Sequence, residues 1–163
     1  PIITRSDGVS VTEVWFYHLQ NRPLEAVLPV LLERCMERGW RSLILAGSKE
    51  RAEALDAHLW TWRDDSFLPH GFLSDPHAGL QPILLAAAPD AGSDAPNKAN
   101  VLFLVDGAQS GHMAQYERCV DLFDGNDAAA LEAARQRYRH ARDAGFDVAY
   151  WQQNADGGWE KRG

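Results

Sequence analysis

Cysteine is scarce: Cys35 and Cys119 are the two that the 163 residues contain. Thiols so far apart make neither a disulfide framework nor a Cys-x-x-Cys zinc pattern, and they are expected to be reduced, as in a cytosolic protein. Long apolar runs are missing too, none approaching the roughly 20 residues that a membrane helix needs. Residues 1–10 lack a basic stretch followed by an apolar one, so no secretory signal is visible, and the chain is read as cytoplasmic with no membrane partner. Positive charge is in the minority, with 16 Lys and Arg against 23 Asp and Glu and a formal net charge of −7. That balance argues against a surface that grips duplex phosphate, so strong direct DNA binding is not expected. A local basic patch remains open.

The signatures of catalysis and of cofactor binding are equally thin. The first strand-to-helix turn has no Gly-x-Gly-x-x-Gly. The second, Ala46-Gly47-Ser48-Lys49, has one glycine where a phosphate loop needs several, so that backbone N–H groups can converge on the phosphates. Gly107-Ala108-Gln109-Ser110-Gly111 does not match Gly-x-Ser-x-Gly and reads as an ordinary loop. His70, His77 and His112 stand near Asp64, Asp65 and Asp75 without metal-ligand spacing. The run Asp121 to Asp127 lacks the alternating oxygen ligands and terminal glutamate of a calcium loop, and helix capping by Asp127 accounts for it better. No catalytic residue, metal or cofactor is therefore assigned.

What is present is an ordinary globular composition, 45% hydrophobic and 24% charged, in a length that suits one domain. Glu13 to Leu19 is rich in aromatic and β-branched types and reads as a buried strand. Leu24, Val27, Leu28, Leu31, Leu32 and Cys35 fall on one helical face, with Pro29 marking either a kink or the true helix start, and Gly39 closing it. Ser42–Ala46 reads as a strand, and Ser48 caps a helix that runs to about Trp62. Asp64 to Gln81 is expected to be a long connection. Pro82–Ala87, Asn100–Val105 and Glu117–Phe123 read as strands. Asp127 caps a helix over 128–144 closed by Gly145, and Phe146–Trp151 is expected to be the last strand. The alternation implies an α/β fold: a Rossmann-like three-layer sandwich, mostly parallel, with helices on both faces and no nucleotide-binding loop. Its expected limits are a flexible leader over 1–11, one domain over 12–152 and a polar tail over 153–163.

The helix after Asp127 is the most informative segment. It carries Arg135, Arg137, Arg139 and Arg142 against Glu132 and Asp143, a positive stretch in an acidic chain. Arg135, Tyr138, Arg139 and Arg142 fall along one side, while Leu131, Ala134, Tyr138 and Ala141 form the inward stripe. Arginine forks beside a tyrosine suit an acidic peptide or a free C-terminal carboxylate, and an ordinary solvated face is the competing account. A second cluster, Trp60, Trp62 and Phe67, fits either interface anchors or core plugs.

A set of ordered blocks carries a family resemblance: Phe16-Tyr17-His18-Leu19, Ala54-Leu55-Asp56 to Leu59-Trp60, Ser66-Phe67-Leu68-Pro69-His70-Gly71, Gln81-Pro82-Ile83, Leu122-Phe123-Asp124-Gly125, Ala134-Arg135-Gln136-Arg137-Tyr138 and Ala144-Gly145-Phe146. From about Thr12 to Lys161 the chain resembles the chi subunits of bacterial DNA polymerase III, which belong to the clamp-loader assembly. The resemblance implies a Rossmann-type fold stripped of nucleotide chemistry and a non-catalytic role. It implies binding of the acidic C-terminal tail of single-stranded-DNA-binding protein at Arg135, Tyr138 and Arg139, with Arg142 beside them. It also implies a surface for the psi subunit, or for a DNA repair helicase, at Trp60 and Phe67. In two respects the chain departs from the pattern. Leu131 stands where the family has a basic residue, and the segment from Tyr150 to Gly163 extends past shorter members.

Overall fold

The computed structural model describes residues 3–4, 10–62, 68–92, 95–156 and 158–162. In chain order the elements are β1 (Ile3–Thr4), β2 (Ser10–Val11), β3 (Glu13–Leu19), α1 (Leu24–Glu37), β4 (Ser42–Ala46), α2 (Lys49–Thr61), β5 (His70–Phe72), β6 (Ile83–Ala87), β7 (Val101–Val105), β8 (Arg118–Asp124), α3 (Ala128–Asp143), β9 (Asp147–Gln153) and β10 (Trp159–Lys161). Eight strands form one sheet in the order β10-β9-β3-β8-β7-β4-β6-β5, parallel except for β10. In the segment expected as a leader, β1 and β2 pair antiparallel outside that sheet.

The inner strands explain why the sheet is parallel and covered. Every residue of β4, β6 and β7 is buried, so their short apolar runs need packing on both faces, which helical crossovers provide. One face buries Leu28, Leu32, Leu55 and Leu59 from α1 and α2. The other buries Ala134 and Ala141 from α3, together with loop residues such as Ala78, Ala108 and Tyr116. The expected three-layer sandwich is therefore observed.

Local chemistry sets the helix ends. Ser48 accepts from the Arg51 N–H, and Asp127 accepts from Ala129 and Ala130. Gly39 and Gly145 take φ of +75° and +93° just past α1 and α3, the left-handed conformation that ends a helix. Pro29 neither starts nor stops α1, which begins at Leu24 and continues through it.

Two expectations are corrected. The stretch expected as a long connection contains β5, a three-residue edge strand paired with β6. Three residues carry no readable periodicity. The sheet also does not end at Phe146–Trp151. In the segment expected as a polar tail, Gln153 is buried at the end of β9, and Trp159 opens β10. The chain turns at Asn154, whose side chain accepts from the N–H groups of Asp156 and Gly158. Trp159 then sets its ring 4.7 Å from Tyr17, an apolar anchor within a polar run.

Candidate protein-binding site

The α3 face is built by β-strand alternation as much as by the helix. Phe16 and His18 point from β3 to the same side, Phe123 does so from β8, and Tyr150 from β9 stands opposite Phe16 in register. Tyr138 of α3 lies over them, its ring 5.5 Å from Phe16 and 6.0 Å from Tyr150. The His18 Nδ1 and the Tyr150 hydroxyl are 2.6 Å apart, and the imidazole also packs on Phe123 at 5.4 Å. Gly125 makes room for it: a Cβ there would stand 1.9 Å from the His18 ring. The Arg135 guanidinium acts on this cluster. Burial lowers the His18 pKa and the Arg135 charge lowers it further, while Asp124 opposes. Burial raises the Tyr150 pKa, and Arg135 opposes it.

The four arginines of α3 are not equivalent. Arg137 turns inward and forms a fork with the buried carboxylate of Asp121, at 2.7 and 3.0 Å. Burial raises the Asp121 pKa and Arg137 opposes the rise. Arg139 lies 3.7 Å from Glu132, and Arg142 lies 3.3 Å from Asp143; both are exposed ion pairs of small net value. Arg135 is exposed and has no carboxylate partner among the described residues. The arrangement offers one uncommitted guanidinium at the rim of an aromatic cluster, flanked by two cations whose surface pairs exchange easily.

On the opposite face of the sheet, Trp62 packs into the core formed with α1 and α2. Trp60, two residues earlier on α2 and so turned the other way, is 52% exposed and rests on His70 with ring centroids 4.3 Å apart. His70 is held in turn, its Nε2 3.1 Å from an Asp56 carboxylate oxygen. Phe67 lies outside the described residues. The candidate aromatic cluster thus divides into a core plug, Trp62, and a surface ring, Trp60.

Helices α1 and α3 leave the carboxyl ends of adjacent β3 and β8 toward opposite faces, which is where doubly wound sheets bind nucleotides. A cavity of about 670 Å³ lies there, lined by Arg22, Arg51 and Arg137 as well as by carboxylates; Arg51 is held by Asp106 and Arg137 by Asp121. Glu25, Asp106, Asp124 and Asp127 contribute carboxylates, and the Asp127 side chain already takes two N–H groups of α3. The N–H groups of Gln20, Asn21 and Arg22 converge on the side-chain oxygen of Gln153 at 3.2, 2.9 and 2.9 Å. The chain's own amide thus occupies the nest that an anion would use. Gly47 has a separate explanation, since a Cβ there would meet the Asp106 carbonyl oxygen at 3.1 Å. Among the described residues no group of three or more His, Cys, Asp or Glu side chains is placed to hold a metal ion, and no helix is long and apolar enough to cross a membrane.

Sequence reasoning placed Arg135, Tyr138, Arg139, Arg142 and Trp60 on these surfaces. It missed His18, Tyr150 and Phe123 as their floor, and it missed the inward turn of Arg137. The signal for the floor was the two-residue alternation of Phe16 and His18, which puts both on one face.

The fold is a Rossmann-like α/β sandwich in which the N–H groups ahead of α1 are taken up by the chain's own Gln153. Residues 11–149 match the family described as DNA polymerase III chi subunit, HolC, and the chain belongs to that family. It is 29% identical over 141 residues to the DNA polymerase III subunit chi of Escherichia coli, covering 82% of this chain and 92% of that one. It is 27% identical over 143 residues to the subunit of the same name from Pseudomonas aeruginosa, covering 85% and 94%. It is also 28% identical over 107 residues to a probable subunit chi of Rickettsia prowazekii, where the match spans 66% of this chain and 62% of the relative.

Proposed function

We propose that the chain is a non-catalytic accessory subunit of the replicative DNA polymerase III holoenzyme. In this reading it binds the acidic C-terminal tail of single-stranded-DNA-binding protein and links it to the clamp loader through a psi-type subunit. The observation that carries the reading is Arg135, a guanidinium without a carboxylate partner among the described residues, beside the Tyr138–Tyr150–His18 cluster. A tail that ends in an apolar residue and a free carboxylate presents both complements: a carboxylate for the fork and apolar area for the rings. Arg139 and Arg142 attract the acidic residues upstream. Trp60 and Phe67 serve the psi-type partner. Because α3 and α2 pack on opposite faces of the sheet, the two partners bind without excluding each other.

Avidity supplies the strength. The tail belongs to a protein that coats single strands, so weak contacts are multiplied by local concentration. The test is titration with a labelled peptide of the last nine or so residues of the organism's own single-stranded-DNA-binding protein. Binding near micromolar Kd, weakened by salt and lost in Arg135→Ala, is expected. A folded protein that ignores the peptide at low salt overturns the reading.

A repair helicase docking at Trp60 instead of psi is the second reading, since the exposed ring suits either partner. Pull-down with each candidate, compared between the parent and Trp60→Ala, separates the two. A nucleotide-binding role predicts a thermal shift with ATP or NAD that Lys49→Ala abolishes, and the filled nest leads us to expect none.

A further inference from the structure

Between α1 and the sheet, on the face away from α3, lies a pocket of about 300 Å³ lined by Trp15, Tyr17, Trp40, Arg34, Arg38 and Arg118 among others, with no carboxylate in its wall. Three guanidiniums thus meet in one small pocket of a chain whose net charge is −7. The convergence is felt by the Tyr17 hydroxyl. Burial lifts the Tyr17 pKa to about 12, and Arg118, Arg34 and Arg38 all act on that one hydroxyl to oppose it. Arg118 lies 3.8 Å from the Trp15 ring centroid and 5.4 Å from that of Trp40, and Arg38 lies 5.8 Å from Trp40. Arg118 is anchored by Glu13 at 3.3 Å, whereas Arg34 and Arg38 have no carboxylate partner among the described residues.

We infer that this pocket is a second docking site, for a short acidic segment of a partner protein that carries an apolar side chain. Three observations select that occupant. The apolar walls, which include Leu31, Phe103 and Val120, reward an apolar side chain and exclude a bare inorganic anion as the natural ligand. The two unpaired arginines at the rim supply forks for carboxylates. The Trp15 ring is already engaged, by the Arg118 guanidinium at 3.8 Å and by Tyr17 and Trp151, which takes it from the base stacking on which single-stranded nucleic acid binding relies.

The test follows the indole N–H signals of Trp15 and Trp40 by NMR in the full chain at low salt. The probe is an acetylated, amidated hexapeptide of alternating aspartate and phenylalanine, whose blocked end removes the free carboxylate that the Arg135 face would read. Saturable shifts of both indoles are expected, weakened roughly tenfold or more in Arg34→Gln with Arg38→Gln and left within about twofold in Arg135→Ala. Both glutamine substitutions are at exposed positions, and the single variant Arg38→Gln gives the same reading if the pair compromises folding. Unshifted indoles at millimolar peptide, or shifts that survive the glutamine variants, overturn the assignment. So does a twelve-residue oligo-dT that moves the same signals at lower concentration, which would make the pocket a nucleic-acid site.

Discussion

The ring Nε2 of His58, on α2, lies 2.6 Å from the backbone carbonyl oxygen of Glu25, on α1. Glu25 stands four residues before Pro29, and Pro29 has no N–H to give it. A histidine from the neighbouring helix therefore supplies the hydrogen bond that the proline withholds. The Glu25 carbonyl thus keeps a partner where α1 runs through Pro29, and the contact ties the two helices of one layer together.

That pairing makes the cost of losing His58 depend on residue 29. His58→Ala is expected to lower stability by about 1–2 kcal/mol in urea unfolding, because a carbonyl in the α1–α2 contact loses its donor. In a Pro29→Ala background, where the backbone N–H of residue 29 is restored, the same substitution is expected to cost clearly less. Equal costs in both backgrounds would show that the histidine and the proline are independent.

The Arg137–Asp121 fork separates a structural cation from the binding face. Arg137→Met leaves the Asp121 carboxylate buried without its partner and is expected to cost about 3–5 kcal/mol. Replacing both, with Asp121→Leu added, is expected to recover much of that loss. Arg135→Ala, at an exposed position, is expected to change the unfolding midpoint by no more than about 0.5 kcal/mol equivalent while removing tail binding. Circular dichroism melts beside peptide titration give the contrast.

These two arginines also show how far the sequence could be read. Both lie in one helix two residues apart, and composition scores them alike. Helical spacing set Arg135, Tyr138 and Arg139 on one side of α3, because a period of 3.6 fixes relative angles within an element. It gave no sign that Arg137 faces a buried acid, since Asp121 is on a different element and a carboxylate in an apolar strand looks like a flaw until its partner is seen. The buried strands β4, β6 and β7 were legible because each is a continuous apolar run between turns. β5 was not, because three residues at a sheet edge carry no period. β10 was not, because one tryptophan among polar residues is meaningful only once Tyr17 lies beneath it. The lack of glycine argued against a phosphate loop, but the contact of the Gln20, Asn21 and Arg22 N–H groups with the Gln153 oxygen was not legible, because it joins residues more than 130 positions apart.

Gln153→Ala empties that nest. Three N–H groups then lose their acceptor, and because they border solvent, water replaces part of the bond; a loss of about 1–2 kcal/mol is expected. The vacated N–H groups regain an affinity for small anions, so sulfate is expected to raise the melting temperature of the variant more than that of the parent. The same sulfate increment in both proteins would show that the three groups do not act as a nest once the amide is gone.

His18 reports on the tail site through its proton. Burial and the Arg135 charge hold its pKa below the usual imidazole range, Asp124 acts the other way, and the Tyr150 hydroxyl stands at Nδ1. A histidine whose folded-state pKa lies below its unfolded value binds fewer protons when folded. Its contribution to stability is therefore complete above about pH 6.5 and is lost as pH falls through the window below that value. Arg135→Ala removes one of the two depressing causes, so the His18 midpoint, followed by the NMR signal of the ring Cε1–H, is expected to move up. A carboxylate docked on Arg135 cancels the same charge and moves the midpoint in the same direction. Tail binding must then take up a fraction of a proton and tighten as pH falls through the window, while Arg135→Ala loses that dependence along with the affinity. An unchanged His18 midpoint in Arg135→Ala would show that the guanidinium does not face the imidazole. An upward shift in the variant, with none on adding peptide, would place the peptide's carboxylate elsewhere on the helix.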